Sequence, residues 1–247
     1  MSMSDSLKRL TLQVAYGHKA TETRYIRWLR AQGVNVGEHV HIYSPWTVKI
    51  DTQRPWMIEI GDNVHIAADS SILQHDYSWS VLQHMTGEIL GSCGKVRIGN
   101  NVFIGQRSLI LKGADIGDNV IIGAGSVVTK KLPDDGVYAG VPVKRLMSIQ
   151  DFLGKRRSLQ IEEAVSLVKE FERVYRKKPE KELLREFFWL FEPRDTDVLG
   201  SVFKDVLDLD GQWTHSVSAF ESSQPQFSSF SKFLEYCEMQ RQKSNEQ

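Results

Sequence analysis

From residue 98 to residue 128, every sixth residue is Ile or Val: Ile98, Ile104, Ile110, Ile116, Ile122 and Val128. The residue after each is usually Gly, and the fifth of each six is small or Val. An earlier block obeys the same rule through Ile60, Ile66 and Ile72, and stepping back by sixes past Arg54 lands on Val48, Ile42 and Val36. The blocks span about 36–75 and 96–130, and residues 76–95 break the phase between them. A helix would space its apolar residues by three and four, and a half-buried strand by two. A strict six describes a short strand followed by a corner, with the aliphatic pointing inward and Gly, Asn or Asp taking the corner conformations. Three such strands close one triangular coil, and stacked coils pair strand on strand at about 4.8 Å. A sandwich, with turns every 8–12 residues, does not hold one phase for so long.

The flanks do not repeat. Residues 20–32 suit a helix stopped by Gly33, placed to cap the first coil and cover its open strand edges. After Arg145 the spacing becomes helical over 158–177 and 180–191, with Pro179 between them. A Ser/Gln/Pro-rich loop near 216–229 leads to a final helix over about 229–242. Phe187–Phe191 reads first as core and, as a sharper alternative, as an aromatic platform for a sugar ring or lipid-linked acceptor. The expected fold class is mainly β: a parallel β-helix over 34–147 with the 76–95 insertion, an N-terminal helical cap over 1–33 and an α-helical extension over 148–247.

Composition narrows the function. Thirty-one Lys and Arg balance 31 Asp and Glu, which argues against nucleic acid as a partner. Cys93 and Cys237 are far apart without CxxC spacing, so neither a disulfide framework nor a cysteine zinc site is expected. No apolar run approaches the ~20 residues that span a bilayer, and the first twenty residues lack the pattern of a secretory leader. A soluble cytoplasmic protein is the expectation.

The segment 96–146, from Val96-Arg-Ile-Gly-Asn-Asn through Tyr138-Ala-Gly-Val-Pro-Val-Lys-Arg145, closely resembles the C-terminal coils of hexapeptide-repeat acetyltransferases. The lead-in at Trp28-Leu-Arg-Ala-Gln-Gly resembles their polysaccharide branch, and the resemblance covers roughly residues 22–147. It implies a left-handed β-helix, acetyl-CoA as co-substrate, a sugar hydroxyl as acceptor in capsule or lipopolysaccharide synthesis, and a homotrimer. It further implies that pantetheine runs along small residues of stacked coils, at positions matching Gln106, Ala124, Thr129 and Lys130, and that Lys144 and Arg145 of the Ala-Gly-Val-Pro loop meet the phosphates.

Acetyl transfer to a hydroxyl needs a base, and a neutral imidazole suits that task near neutral pH. His75 ends the first block where the phase breaks, the place that holds the catalytic His in the resembled branch; Tyr77 stands where that branch often has a second His. His39, His41 and His65 fall on outward positions and are expected to be solvated, while His84 lies in the insertion within reach of an acceptor. Asp51 matches an acceptor-binding Asp of galactoside-type enzymes, with Asp76 and Glu88 as rival carboxylates. A γ-type carbonic anhydrase would need a His-x4-His pair; His75 and His84 do not form one, and no metal is expected. A small-molecule acceptor and a non-catalytic scaffold remain the alternatives.

Overall fold

The six-residue phase becomes three parallel sheets around one interior. The first contains Asn35–Val36, Ile58–Ile60, Val96–Ile98, Asp115–Ile116 and Lys131–Leu132. The second contains His41–Ile42, Val64–Ile66, Val102–Ile104, Val120–Ile122 and Gly136–Ala139, ended by the antiparallel Lys144–Ser148. The third contains Lys49–Ile50, Ser71–Ile72, Leu109–Ile110 and Val127–Val128. The computed structural model describes residue 11 and residues 14–245. These divide into two compact units, Met1–Phe152 and Leu153–Gln247.

Register sets like on like. Ile60 pairs with Ile98, Ile66 with Ile104 and Ile72 with Ile110, and these six side chains are all at most 2% exposed. Each buried aliphatic of this size contributes roughly 1.5–3 kcal/mol, so the columns of inward Ile and Val hold the coils together. Beside them runs a column of buried serines. Ser70 donates to the Gly105 carbonyl (3.1 Å), Ser108 to Gly123 (3.2 Å) and Ser126 to Gly123 (2.6 Å). A small hydroxyl fits the crowded corner and satisfies a buried carbonyl.

Corner residues adopt positive φ in columns. Between the first and second sheets these are His39, Asn63, Asn101, Asn119 and Asp135, with φ of 53–55°. Asn side chains tolerate this conformation and link the coils: Asn101 Nδ2 donates to Asn119 Oδ1 (2.8 Å), and Asn119 Nδ2 to Asp135 Oδ1 (2.9 Å). A second ladder runs beside it, in which the Asp62, Asn100 and Asp118 amides donate to Asn100, Asp118 and Asp134 side chains at 2.7–2.9 Å.

The phase is not unbroken in the first coil. Ile50, rather than Val48, takes the strand position opposite Ile72, although both are buried. A turn closed by the Thr47 amide on Ser44 O (2.9 Å) inserts residues ahead of the strand, and the Pro55–Met57 3₁₀ turn inserts more after it. The helix α1 (Glu22–Gln32) caps this coil. Thr21 accepts from the Arg24 amide at its start, Gly33 ends it at φ 101°, and Tyr25 and Leu29 enter the same core as Val34 and Ile42.

The second unit has its own core. Helix α3 (Ile149–Tyr175) begins earlier than the spacing suggested, and α4 (Ser201–Leu207), α5 (Trp213–Ser222) and α6 (Phe230–Asn245) follow it; the Ser80–Thr86 helix of the first unit is α2. The expected helix over 180–191 is instead two 3₁₀ turns, Lys181–Leu184 and Phe188–Leu190. Leu184, Phe188, Leu190 and Phe191 all enter the core of this unit. Likewise the expected loop near 216–229 is helical as far as Ser222. Helical residues outnumber strand residues over the described chain, so "mainly β" holds for the repeats and not for the whole. No described helix is long and apolar enough to cross a membrane.

Candidate active site

The third sheet has two edges, and the candidate residues divide between them. At the corner that follows its strands, the Asp51 amide donates to Ile72 O (3.0 Å), Leu73 to Ile110 O (2.9 Å) and Leu111 to Val128 O (2.9 Å). This stacking brings Asp51, His75, Lys112, Thr129 and Lys130 into successive layers of one corner. His75 Nδ1 lies 2.5 Å from Asp51 Oδ2, with side-chain exposures of 17% and 12%. A carboxylate on Nδ1 favours the tautomer that carries its proton there and leaves Nε2 with its lone pair.

Two residues the sequence did not single out complete this pair. Gln74 is fully buried, and its Nε2 donates to the same Asp51 oxygen (3.0 Å). Asp51 Oδ1 accepts from the Gln53 amide (3.0 Å), so the carboxylate is fixed from both ends. Tyr77 stands edge-on to the imidazole, ring centroids 5.1 Å apart, and its hydroxyl accepts from Gln53 Nε2 (3.1 Å). Gln74 gave no signal because its turn position carries residues as different as Asp62, Ala68, Lys112 and Ala124 elsewhere in the repeat; it is fully buried here, where the chain leaves the coil.

The insertion is pinned at its base. Cys93 bridges antiparallel to His75. Asp76 accepts from Ser78 Oγ (2.5 Å), the Ser78 amide (3.0 Å) and Ser92 Oγ (3.0 Å), and pairs with Lys112, which also donates to Ser92. Both Asp76 oxygens are thus engaged in a clasp joining the two ends of the loop to the next coil. The Lys112 ammonium, then the Ser78 hydroxyl, hold the Asp76 carboxyl far below the usual carboxylate range. A depressed carboxyl stabilises in its ionised form, so the clasp is complete above the ordinary value of 3.8 and weakens only as pH falls below it. Asp76→Asn should therefore speed proteolytic nicking of 76–95 severalfold at pH 7, measured by mass spectrometry, with the difference from wild type shrinking in strong acid. Equal nicking rates at pH 7 would count against the clasp.

His84 sits exposed on α2, with no side-chain hydrogen bond or ion pair among the described residues, and it is not joined to the His75 pair. Glu88 is exposed beyond the helix end. His41 and His65 point outward as expected but are not singly solvated. Their rings stack at 4.8 Å, His41 pairs with Glu22 (3.2 Å) and His65 Nδ1 bonds the Tyr43 hydroxyl (2.8 Å). His39 is exposed.

The opposite corner, which precedes the third sheet's strands, holds the remaining candidates. The Arg107 amide donates to Ala68 O (3.0 Å), Gly125 to Gln106 O (2.8 Å) and Val127 to Gly140 O (3.0 Å). Gln106 and Ala124 lie exposed in this column. Gly125 turns it at φ 69°, and a Cβ there would meet nothing within 4 Å, so the outer edge is open to a ligand. Lys144 and Arg145 pair with Ala139 and Tyr138 in the closing hairpin. Arg145 donates to Asp135 O (3.1 Å), whereas Lys130 and Lys144 are exposed with no ion pair among the described residues. Within one chain, His75 and the Gln106–Ala124 column therefore stand on opposite edges of one sheet. Among the described residues no group of three or more His, Cys, Asp or Glu is arranged to hold a metal.

The family model described as bacterial transferase hexapeptide (six repeats) matches residues 95–130. A galactoside O-acetyltransferase of Escherichia coli is 37% identical over 124 residues, 47% of this chain and 57% of that one. The Protein CapG of Staphylococcus aureus is 38% identical over 124 residues, 50% of this chain and 71% of that one. Among solved structures, a hexapeptide-repeat-containing acetyltransferase from Vibrio cholerae is 21% identical, covering 60% of this chain and 94% of that one, with a TM-score of 0.44.

Proposed function

The chain belongs to the hexapeptide-repeat family of bacterial transferases, and from that premise we propose that it is an O-acetyltransferase, moving acetyl from acetyl-CoA to a sugar hydroxyl in surface-polysaccharide synthesis. The observation that carries this reading is the His75–Asp51 pair at 2.5 Å, set at the mouth of the 76–95 insertion. Sugar as acceptor is supported by the name of the galactoside O-acetyltransferase to which the chain is similar.

In this reading Asp51 holds the His75 imidazole, and Nε2 takes the proton as the acceptor oxygen attacks the thioester carbonyl. The same proton then serves the departing coenzyme thiolate, so the base is restored without a covalent enzyme intermediate. Gln74 and Gln53 keep Asp51 from turning away. Tyr77 borders the space an acceptor would enter. Pantetheine would lie along the open Gln106–Ala124 corner, with Lys144 toward the phosphates and Thr129 and Lys130 at the other edge.

Opposite edges of one sheet cannot serve a single reaction within one chain. A homotrimer would answer this, with one chain's His75 corner set across a three-fold axis from its neighbour's Gln106–Ala124 corner. The test is coenzyme release with acetyl-CoA and a panel of galactosides, alongside a thermal-shift titration with coenzyme A. Ala124→Tyr fills the open corner with a ring and should weaken coenzyme A binding at least tenfold while leaving the melting temperature of the free protein within a few degrees. No coenzyme A binding by the wild type, or unchanged binding by Ala124→Tyr, would overturn the assignment.

A further inference from the structure

The helical unit carries a groove that the acetyl-transfer reading does not use. A cleft of about 460 Å³ has Phe188, Trp189, Val206 and Leu207 in its lining, and a second hollow of about 200 Å³ adjoins it. Arg157, Gln160 and Glu186 line both, so the two form one elongated groove. The larger part falls within the roughly 300–1,000 Å³ of small-ligand sites. Trp189 is half-buried, its ring held edge-on by Phe220 with centroids 5.0 Å apart.

The charged and polar groups of this groove divide into paired and unpaired ones. Arg156, which lines the smaller hollow, is bound to Glu163 through two nitrogens (2.7 and 2.5 Å), and Arg194, outside both linings, donates to Trp189 O, Glu192 O and Ser223 Oγ. Arg157, Gln160, Glu186 and His215 make no side-chain hydrogen bond or ion pair among the described residues. They offer a donor-only guanidinium, an acceptor-only carboxylate, and an amide and imidazole that do both. A hydrocarbon chain would cover these groups without pairing them, and a phosphate would be set against Glu186. A neutral ligand with many hydroxyls and one apolar ring face offers partners to all four and sets its apolar face against the aromatic lining.

The geometry points to a saccharide-binding groove on the helical unit that takes a linear oligosaccharide and shares no residue with the acetyl-transfer site. The choice of saccharide rests in part on the sugar-acceptor reading above; the groove and its partnerless side chains do not. The test uses the full chain, without acetyl-CoA, on an array of bacterial capsule and lipopolysaccharide oligosaccharides, followed by calorimetry with the best-retained glycan. The wild type should retain at least one linear oligosaccharide. Arg157→Ala and Glu186→Gln, both surface changes that break no contact, should weaken it at least tenfold, and His75→Ala should bind as wild type does. Trp189→Phe, which keeps an aromatic ring at this place, should weaken it less. No retained glycan, equal retention by Arg157→Ala and Glu186→Gln, or binding of a palmitate probe in place of sugar would overturn the proposal. Glycan binding without acetylation of any sugar would sink the acetyl-transfer reading and leave the groove standing. Acetylation of a monosaccharide at the wild-type rate, with binding unchanged in the Arg157 and Glu186 variants, would sink the groove alone.

Discussion

His75→Ala should lower kcat for acetyl transfer by about 10²–10⁴-fold, the usual worth of general-base assistance, with coenzyme A affinity close to wild type. The separation of the two effects follows from the geometry. The imidazole lies at one edge of the third sheet, held by Asp51 at 2.5 Å, whereas Gln106 and Ala124 lie at the other. Asp51→Asn should also slow the chemical step, because an amide can turn its own N–H toward Nδ1 and favour the tautomer whose Nε2 is already protonated. Its loss should fall in kcat rather than in the coenzyme's KM. Near-normal turnover by His75→Ala on a verified acceptor would remove the base from this corner, and His84 on α2 would be the next residue to replace.

Gly105→Val should destabilise the β-helix by about 3 kcal/mol or more, at or above the upper end of ordinary overpacking. A Cβ at Gly105 would stand 2.5 Å from the Ala124 nitrogen and 2.7 Å from the Ile122 oxygen. Both are backbone atoms of the next coil, so no side chain can swing aside and the layers themselves must part. Parting them strains the Gly105 amide's bond to Ile122 O (2.8 Å) and the Ser70 hydroxyl's bond to Gly105 O (3.1 Å). A lower urea midpoint, followed by circular dichroism at the strand band, is the measurement. An unchanged midpoint would mean that these coils are not packed as closely as described.

The repeats were legible because each coil imposes the same burial on the same position. Ile60, Ile98 and Ile116 announce one column however the intervening loops vary. Where the chain departs from the coil, that repetition stops carrying information. Val48 and Ile50 are both apolar and both buried, so only the pairing with Ile72 decides which one lies on the strand. Phe187–Phe191 could be marked as core, but its 3₁₀ path follows from packing against α4, α5 and α6, which no local pattern records. At the candidate site the sequence pointed to His75 by its place at the end of a block. It offered Asp51, Asp76 and Glu88 as equals, since a carboxylate's partner depends on which coils adjoin it. The fold sets Asp51 on the imidazole and ties Asp76 to Lys112.

The amide ladder at the first corner has a reading direction. Asn101 passes its N–H to Asn119, and Asn119 passes its own to Asp135. A carboxylate has no proton to hand on, so Asp135 is a full stop: the column can end there but cannot continue through it. Its carbonyl meanwhile accepts from the Ile149 amide and from Arg145, where the chain turns away from the stack. Rod length is thus spelled in the corner residues. Arg97 sits over Asp115 and Phe103 over Ile121, so a copied 18-residue coil bearing Asn at this rung would slot in and lengthen the rod by about 4.8 Å. A copied coil bearing Asp would set two anions face to face and leave the rung above without a donor.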